Sequence, residues 1–240
     1  MRAIFIADAH LQKQDEPCYR EMLRFLTGLQ GTTDTLYILG DFFEFWIGYP
    51  TNPFIHYLPV LEGLRQLNAS GTGIVYLEGN HDFHMGTFFT DTLQASVYTD
   101  SATLTIQGRQ VHMCHGDQLN PNDIPYRLLR AFFHSRVTKW LTYVLPPWVA
   151  SAIAERMGRK GRENIHAKGN YTACQQLLRT YAERQFAAGA DLVITGHFHQ
   201  PFMKEADGEP ARLLVSLGDW ATSLSYAELA DGAITLKTFT

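Results

Sequence analysis

The sequence predicts a mixed α/β protein in which two β-sheets form the core and helices lie outside them. In the first half of the chain, strand-length apolar runs alternate with helical patterns, which is typical of βαβ units with parallel strands. In the second half, strands follow one another without full helices between them. Of the 240 residues, 45% are hydrophobic and 18% are charged. We therefore expect one domain over residues 1–240 with a well-filled core, and this composition disfavours disorder and coiled coils.

The predicted strands are apolar runs, most of which lead into Asp, Asn or His. Five of them are Ala3–Ala7, Leu36–Leu39, Ile74–Leu77, Val111–Cys114 and Leu192–Thr195. Uninterrupted apolar runs of this length are expected of strands that are buried on both faces. Ala102–Ile106 is joined to the fourth run by a hairpin-like connection at Gln107–Gln110. Two late strands are predicted at Arg212–Leu217 and Ile234–Phe239.

Helices are predicted between the first three strands. Asp15 is a candidate N-cap of the first helix, with Pro17 in its first turn, and leucines spaced by three residues mark its core face. The second helix is predicted over Pro53–Leu67. Both connect strands that the βαβ pattern makes parallel.

The segment from Arg127 to Lys168 departs from this pattern. It contains nine basic and two acidic residues, a local charge of +7 in a chain whose net charge is −4. Within it, Trp140–Ala154 has no charged residue, but fifteen residues with two prolines cannot span a bilayer as a helix. An apolar, aromatic stretch between arginines and lysines suits a surface that meets anionic and partly apolar partners.

The cysteines and the N-terminal residues indicate the cellular compartment of the protein. Cys18, Cys114 and Cys174 include no Cys-x-x-Cys pair, so neither a disulfide framework nor a thiolate zinc site is expected. The N-terminal apolar run is too short for the core of a signal peptide or for a membrane span. We expect a cytoplasmic protein that is not exported.

Oxygen and imidazole donors recur at the ends of the predicted strands. The ordered set is Asp8-x-His10, Gly40-Asp41, Gly79-Asn80-His81-Asp82, His115 and Gly196-His197-x-His199. One such block is more often an ordinary turn or strand end, whereas five blocks in order indicate a common site. Asp, Asn and His without cysteine suit Mn²⁺, Zn²⁺ or Fe. Donors two residues apart point to opposite faces of an ideal strand, so they converge only in loops, which the flanking glycines permit.

With His81 and Asp82 set aside, the seven donor residues of these blocks outnumber the ligands of one tetrahedral metal site. They fit two metals about 3.5–4 Å apart that share a bridging carboxylate, as in many phosphate-ester hydrolases. Asp41 is the candidate bridge. Such a pair activates water for attack on phosphorus and neutralises the phosphate oxygens, so no protein nucleophile is required.

The ordered set resembles the DxH, GD, GNHD, H and GHxH pattern of the calcineurin-like metallophosphoesterase family over residues 8 to 199. The resemblance implies a four-layer αββα sandwich with a helical lid insertion at about residues 122–168. It implies two divalent metals, with Mn²⁺ as the first choice and Zn²⁺ or Fe as alternatives. One metal would be held by Asp8, His10, Asp41 and His199, and the other by Asp41, Asn80, His115 and His197. His81, paired with Asp82, would be the catalytic group that contacts the phosphate and protonates the leaving oxygen.

Longer segments resemble those members of the family that act on a UDP-linked, diacylated glucosamine in lipid A synthesis. They are FIADAHL, YILGDFFEFWIG, GNHDF, MCHGDQL, PNDIPYRLLRAFFHS, VLPPWVASAIAERM, GHFHQP and VSLGDW. This resemblance implies hydrolysis of the pyrophosphate at the α-phosphorus. The substrate contacts would be Asn80, His81, Asp123, Tyr126, Arg162 and Lys168.

The same resemblance implies a role for the basic and apolar insertion. Its apolar residues would line a groove for the acyl chains: Leu141, Val144, Leu145, Trp148, Val149 and Ile153. Its basic residues would meet phosphate or anionic headgroups: Arg156, Arg159, Arg162 and Lys168. We expect a monomer that associates peripherally with the cytoplasmic face of the inner membrane and binds no nucleic acid.

The sequence leaves other functions open. The GNHD block is the generic phosphoesterase form, whereas the lipid-directed members more usually have arginine in place of His81. Another UDP-sugar, a nucleotide or a phosphodiester is therefore the alternative substrate. A scaffold without catalysis should have lost donors, and every expected donor is present. A nucleic-acid binder is disfavoured by the net charge of −4 and by the prolines within the basic segment.

Overall fold

Two facing sheets form the core of the structure, a computed structural model that describes residues 1–49, 54–144, 171–206 and 211–240. The six-stranded sheet contains, in spatial order, β13 (Ala233–Thr238), β12 (Ser225–Ala230), β1 (Arg2–Ile6), β2 (Thr35–Leu39), β4 (Gly73–Leu77) and β6 (Ser96–Tyr98). The five-stranded sheet contains β10 (Pro201–Ala206), β11 (Arg212–Leu217), β9 (Leu192–Thr195), β8 (Arg109–Cys114) and β7 (Ser101–Ile106). A small parallel ribbon pairs β3 (Trp46–Ile47) with β5 (Asp82–Phe83).

Helices cover the outer faces of both sheets. In chain order they are α1 (Pro17–Leu29), α2 (Leu58–Ala69), α3 (Ile124–Phe133), α4 (Arg136–Leu141), α5 (Tyr171–Ala187) and the single turn α6 (Trp220–Ser223). Side chains of α1 and α2 pack on the six-stranded sheet, and those of α5 pack on the five-stranded sheet. The layers therefore follow the order helix, sheet, sheet, helix, which confirms the αββα sandwich.

Strand β1 shows why the sequence takes this form. Ile4 and Ile6 belong to the cluster under α1 and α2, whereas Phe5 belongs to the cluster between the two sheets. Successive side chains of a strand point to opposite faces, so a strand with helices on one side and a second sheet on the other must be apolar throughout. The pairing of β1, β2 and β4 is parallel, as the βαβ pattern predicts.

Several predicted boundaries shift. Helix α1 is preceded by Glu16, not Asp15, and its N-cap makes no side-chain hydrogen bond. The second helix begins at Leu58, after one turn of 3₁₀ helix at Ile55–Tyr57. The hairpin between β7 and β8 is tighter than expected, because only Gln107 and Gly108 separate the paired residues Ile106 and Arg109; both turn residues take positive φ, +51° and +80°. Positive φ at both positions matches the twist of the flanking strands.

Sequence reasoning missed several elements. The missed strands are β3, β5, β6, β10 and β12, and helix α5 was not predicted either. β10 lies at a sheet edge with mostly exposed side chains, so it lacks the continuous apolar run used to identify the buried strands.

The predicted insertion contributes α3 and α4 to the described residues. Their outward side chains include exposed large apolar groups: Ile124, Leu128, Phe132, Val137, Trp140 and Tyr143. The remainder of the insertion, including Leu145, Trp148, Val149, Ile153 and the basic residues Arg156, Arg159, Arg162 and Lys168, lies outside the described residues. Among the ranges described, no helix has both the length and the apolar character needed to cross a membrane.

Candidate metal centre

The seven predicted donors lie in loops that follow strands of both sheets. Asp8 and His10 follow β1, Asp41 follows β2, and Asn80 follows β4. His115 follows β8, and His197 and His199 follow β9. Strands β1, β2 and β4 are parallel neighbours in one sheet, and β8 and β9 are parallel neighbours in the other. Because the sheets face each other, the carboxyl ends of these strands deliver their loops to one place.

Five of the donors have a left-handed backbone. The φ angles are +52° for Asp8, +44° for His10, +52° for Asp41, +68° for His197 and +53° for His199. Non-glycine residues seldom adopt this region, and clusters of such strain are characteristic of functional sites. A left-handed backbone also breaks the regular alternation of side-chain directions found in a strand. Asp8 and His10 can therefore face the same site, as can His197 and His199.

Three donors form what we call the Asp8 group: Asp8, His10 and His199. Their donor atoms all lie within 4.8 Å of one another. His199 Nε2 is 3.3 Å from Asp8 Oδ1, and His10 Nε2 is 3.9 Å from the same oxygen. One carboxylate and two imidazoles thus face a common point.

Three further donors form the Asp41 group: Asp41, His115 and His197, again with donor atoms within 4.8 Å of one another. His115 Nε2 lies 3.3 Å from Asp41 Oδ2 and 3.1 Å from Asn80 Oδ1. Asn80 therefore faces this group. Burial lowers the pKa of His197 to about 4, which leaves its ring neutral and able to act as a ligand near pH 7.

Asp41 lies between the two groups. Its Oδ2 atom, which faces His115, is also 3.9 Å from His10 Nε2 in the Asp8 group. Although burial acts in the opposite direction, the neighbouring His115 charge holds the pKa of Asp41 well below its usual range. An ionised carboxylate in contact with both groups is what a bridging ligand requires.

Three histidines present the same nitrogen to the site, because their other nitrogen is engaged. Nδ1 of His10 is 3.4 Å from Glu44 Oε2, and Nδ1 of His199 is 3.4 Å from Asp219 Oδ2. Nδ1 of His115 donates to the carbonyl oxygen of Leu39 at 2.8 Å. Each Nε2 atom thereby faces the carboxylates, which is the arrangement of histidines that bind metals.

The donor set fits divalent cations. Asp8 Oδ1 and His10 Nε2 are enclosed but have no hydrogen-bond partner in the described part of the chain. Buried polar groups are normally paired, and a cation between these two atoms would satisfy both. Mixed carboxylate, amide and imidazole donors suit Mn²⁺, Zn²⁺ or Fe.

His81 and Asp82 occupy different environments. His81 is partly exposed, its Nδ1 lies 2.8 Å from the carbonyl oxygen of Glu44, and its ring centre is 4.8 Å from that of His10. Its backbone N–H donates to Asp41 Oδ1 at 2.8 Å. His81 therefore lies at the rim of the centre, where it could meet a phosphate.

Asp82 lies beneath the centre and differs from the expected catalytic partner. Its Oδ1 accepts hydrogen bonds from the backbone N–H groups of Asp41 and Gly79 at 2.9 and 3.0 Å. Its Oδ2 accepts from the N–H of Phe42 at 2.7 Å and from the Tyr76 hydroxyl. Because the side chain is fully buried and its oxygens accept these bonds, Asp82 holds the Asp41 loop in place.

The expected substrate contacts are only partly described. Asp123 caps α3 by accepting from the N–H of Tyr126 at 3.2 Å, and the Tyr126 hydroxyl donates to Asp117 Oδ2 at 2.7 Å. Both residues are thus held at the start of the insertion. Arg162 and Lys168 lie outside the described residues.

Two supporting residues were missed from the sequence, Glu44 and Asp219. Asp219 follows β11 and Gly218, the same pattern of apolar run, glycine and aspartate that identified Asp41, so a signal was present. Glu44 had no such signal, because its role depends on how its loop folds beside His10.

Comparisons with known proteins identify the family of the chain. The sequence pattern of the calcineurin-like phosphoesterases matches residues 1–201, and the chain belongs to that family. It is accordingly a metal-dependent phosphoester hydrolase. The solved structure of an archaeal phosphodiesterase has the same fold, with a TM-score of 0.52 and 12% identity over the whole of both chains.

Relatives of higher identity are named UDP-2,3-diacylglucosamine hydrolase. The protein of that name from Enterobacter sp. strain 638 is 32% identical over 242 residues, which cover 100% of this chain and 99% of its own. The one from Pseudomonas putida strain F1 is 32% identical over 221 residues, 90% of each chain.

Proposed function

We propose that the protein hydrolyses the pyrophosphate of UDP-2,3-diacylglucosamine, releasing UMP and 2,3-diacylglucosamine 1-phosphate for lipid A synthesis. The observation that carries the proposal is the position of α3. Its Tyr126 is bonded to Asp117, two residues from His115, while its outer face exposes large apolar side chains. A charged centre beside an apolar face suits a substrate with a diphosphate at one end and acyl chains at the other.

The proposed centre contains two divalent cations, Mn²⁺ first, with Zn²⁺ or Fe as alternatives. Asp8, His10, Asp41 and His199 would hold one cation, and Asp41, Asn80, His115 and His197 the other. Bound cations would activate the attacking water and neutralise the phosphate oxygens. The geometric support is the shared position of Asp41 and the unpaired donors of the Asp8 group.

His81 would act on the phosphate and on the leaving oxygen. Since its Nδ1 donates to the carbonyl oxygen of Glu44, Nε2 is the atom available to the substrate. A protonated ring would donate through Nε2 to a phosphate oxygen or to the leaving group. Asn80, Asp123 and Tyr126 would contact the remainder of the head group, together with Arg162 and Lys168.

The exposed faces of α3 and α4 would meet the acyl chains and the membrane surface. Leu128 is 67% exposed, Phe132 50%, Trp140 61% and Tyr143 67%. Basic side chains lie among them, which favours an anionic leaflet. We propose a single-domain monomer that works in the cytoplasm and associates peripherally with the inner membrane.

A second candidate is hydrolysis of another UDP-sugar, a nucleotide or a simple phosphodiester. His81 favours it, because this residue belongs to the generic GNHD form of the motif.

The experiment compares three substrates with one Mn²⁺-loaded protein. They are UDP-2,3-diacylglucosamine, a UDP-sugar without acyl chains, and a chromogenic phosphodiester. Of the two UDP compounds, only the acylated one is expected to release UMP, and reaction in ¹⁸O-water should place the label in UMP. Turnover of only the two water-soluble compounds would contradict the lipid assignment and favour the second candidate.

A pair of variants tests the apolar face. The double variant Trp140→Ser, Tyr143→Ser should have a raised KM for the acylated substrate and an unchanged KM for the chromogenic ester. Ile55→Ser, at a side chain 78% exposed on another part of the surface, is the matched control. Equal effects on both substrates would assign the two aromatic residues a structural role.

A further inference from the structure

Helix α3 is bonded to two of the loops that carry donors. At its C-terminal end, His134 Nδ1 lies 3.1 Å from Glu78 Oε2, and both side chains are almost fully buried. His84 Nε2 lies 3.0 Å from the carbonyl oxygen of the last residue of α3. Glu78 and His84 stand on either side of Asn80 in the chain, so both ends of the Asn80 loop are tied to the helix.

One turn earlier in α3, Arg130 binds the loop that contains His115. Its Nε is 2.6 Å from Asp117 Oδ2, its Nη1 is 2.9 Å from Asp100 Oδ1, and its Nη2 is 2.9 Å from the carbonyl oxygen of Thr99. Arg130 is only 7% exposed, and Asp117 is 8% exposed. The bond to Asp117 holds the His115 loop against the helix, while the bonds to Asp100 and Thr99 fix the same planar, buried group to the turn between β6 and β7.

The two loops meet at one side of the metal centre. Asn80 Oδ1 and His115 Nε2 are 3.1 Å apart, and both face the Asp41 group. The Asp8 group has other supports, because Nδ1 of His10 faces Glu44 and Nδ1 of His199 faces Asp219. The hydrogen bonds of α3 therefore support the ligands of the Asp41 group and not those of the Asp8 group.

We propose that Arg130 and His134 are positioning residues that set the metal affinity of the Asp41 group and couple it to α3. The inference rests on the two-metal centre of the proposed function. Groups that orient ligands alter metal affinity without touching the metal. Coupling is reciprocal, so an ion in the Asp41 group must also stabilise α3.

The first test is a calorimetric titration of metal-free protein with Mn²⁺. For Arg130→Met and for His134→Leu we expect one of the two binding steps to weaken by about tenfold or more, with the other unchanged. His134→Asn, which retains a donor near the position of Nδ1, should restore most of the affinity. Arg127→Met makes the same chemical change on an exposed face of α3 and should match the unmodified protein.

The second test needs no variant and so does not depend on whether the variants fold. Mn²⁺ should slow amide hydrogen exchange in the last two turns of α3 by about tenfold or more, the factor expected for the loss of metal affinity in the variants. Helix α2, which packs against α1, is the internal reference. Equal effects on α2 and α3 would contradict the coupling.

The outcomes separate this inference from the proposed function. If the unmodified protein binds two ions and the folded variants bind both as tightly, the positioning role is wrong while the centre stands. Equal weakening of both steps would likewise contradict a role specific to the Asp41 group. If the unmodified protein binds fewer than two ions, the centre and this inference fail together.

Discussion

The backbone N–H of His197 donates a hydrogen bond to Asp8 Oδ2 at 2.7 Å, and this bond joins the two sheets at the metal centre. The adjacent Gly196 allows the approach, because a Cβ at that position would lie 2.7 Å from the same oxygen. One oxygen of Asp8 is thus used to hold the sheets together at the site. The other, Oδ1, is left facing His10 and His199 for a cation.

Asp41→Asn should remove the shared carboxylate while preserving the side-chain volume. We expect metal content below two ions per chain and a fall in kcat of about 10³-fold, since metal ions contribute several kcal/mol to transition-state stabilisation. Elemental analysis and kinetics on the chromogenic ester measure both effects. Asp15→Asn, on the surface outside the centre, is the control, and full metal content in Asp41→Asn would contradict the bridge.

Removal of metal should lower the stability of the protein. Without a cation, Asp8 Oδ1 and His10 Nε2 are enclosed and accept no hydrogen bond from the described residues, so the native state lacks contacts that a bound ion provides. At 100 times its Kd, an ion contributes about 2.7 kcal/mol, or roughly 5–10 °C in Tm for a chain of this size.

Differential scanning calorimetry with and without a chelator would check this. Mn²⁺ should restore Tm, whereas Ca²⁺, which prefers oxygen ligands, should have little effect at an imidazole-rich centre. An unchanged Tm after verified metal removal would show that the bound ions do not contribute to folding stability.

Gly79→Ala should disturb the Asp41 loop. A Cβ at Gly79 would lie 2.2 Å from Asp41 Oδ1 and 2.6 Å from its backbone nitrogen, so the loop must move. We expect weaker metal binding and a lower free energy of unfolding. Gly28→Ala in α1 has nothing within 4 Å of the added carbon and should stabilise the protein by about 0.5–1 kcal/mol.

Urea denaturation and metal titration of the two glycine variants would show the contrast. Intact metal binding in Gly79→Ala would mean that the loop relaxes without moving its carboxylate.

Glu228 should make stability depend on pH. It pairs with Arg2 at 2.9 Å and with Lys237 at 3.1 Å, and the hydrogen bond from Arg2 lowers its pKa. A depressed pKa stabilises the folded state above the unfolded-state pKa, and this stabilisation is lost as the pH falls through the folded-state pKa.

Glu228→Gln should therefore cost about 0.5–1 kcal/mol at pH 7 and nothing once Glu228 of the unmodified protein is protonated. Urea unfolding of both proteins at pH 7 and pH 3 measures the difference. A difference that stays constant between the two pH values would exclude the ion pairs as its cause.

Much of the fold could be predicted because strands buried on both faces consist of consecutive apolar residues. β9 and β11 appear with the predicted boundaries, β2 and β4 begin one residue earlier than predicted, and β1 is shifted by one residue at both ends. The edge strand β10 could not be found in this way, because its exposed side chains carry no such pattern. The N-cap of α1 was misplaced because Asp15 makes no cap and the chain turns into the helix after Glu16.

The residues that supply donor atoms could be read from the chain, because each follows an apolar run that must end at a sheet edge. How those atoms meet depends on the packing of the two sheets. The tertiary structure places Asp41 between two groups, buries Asp82 beneath the centre, and ties α3 to the loops of Asn80 and His115. These relationships join residues from different sheets and from the insertion, and local patterns in a chain contain no information on such distances. They arise when the two sheets pack face to face and bring separate loops to the same edge.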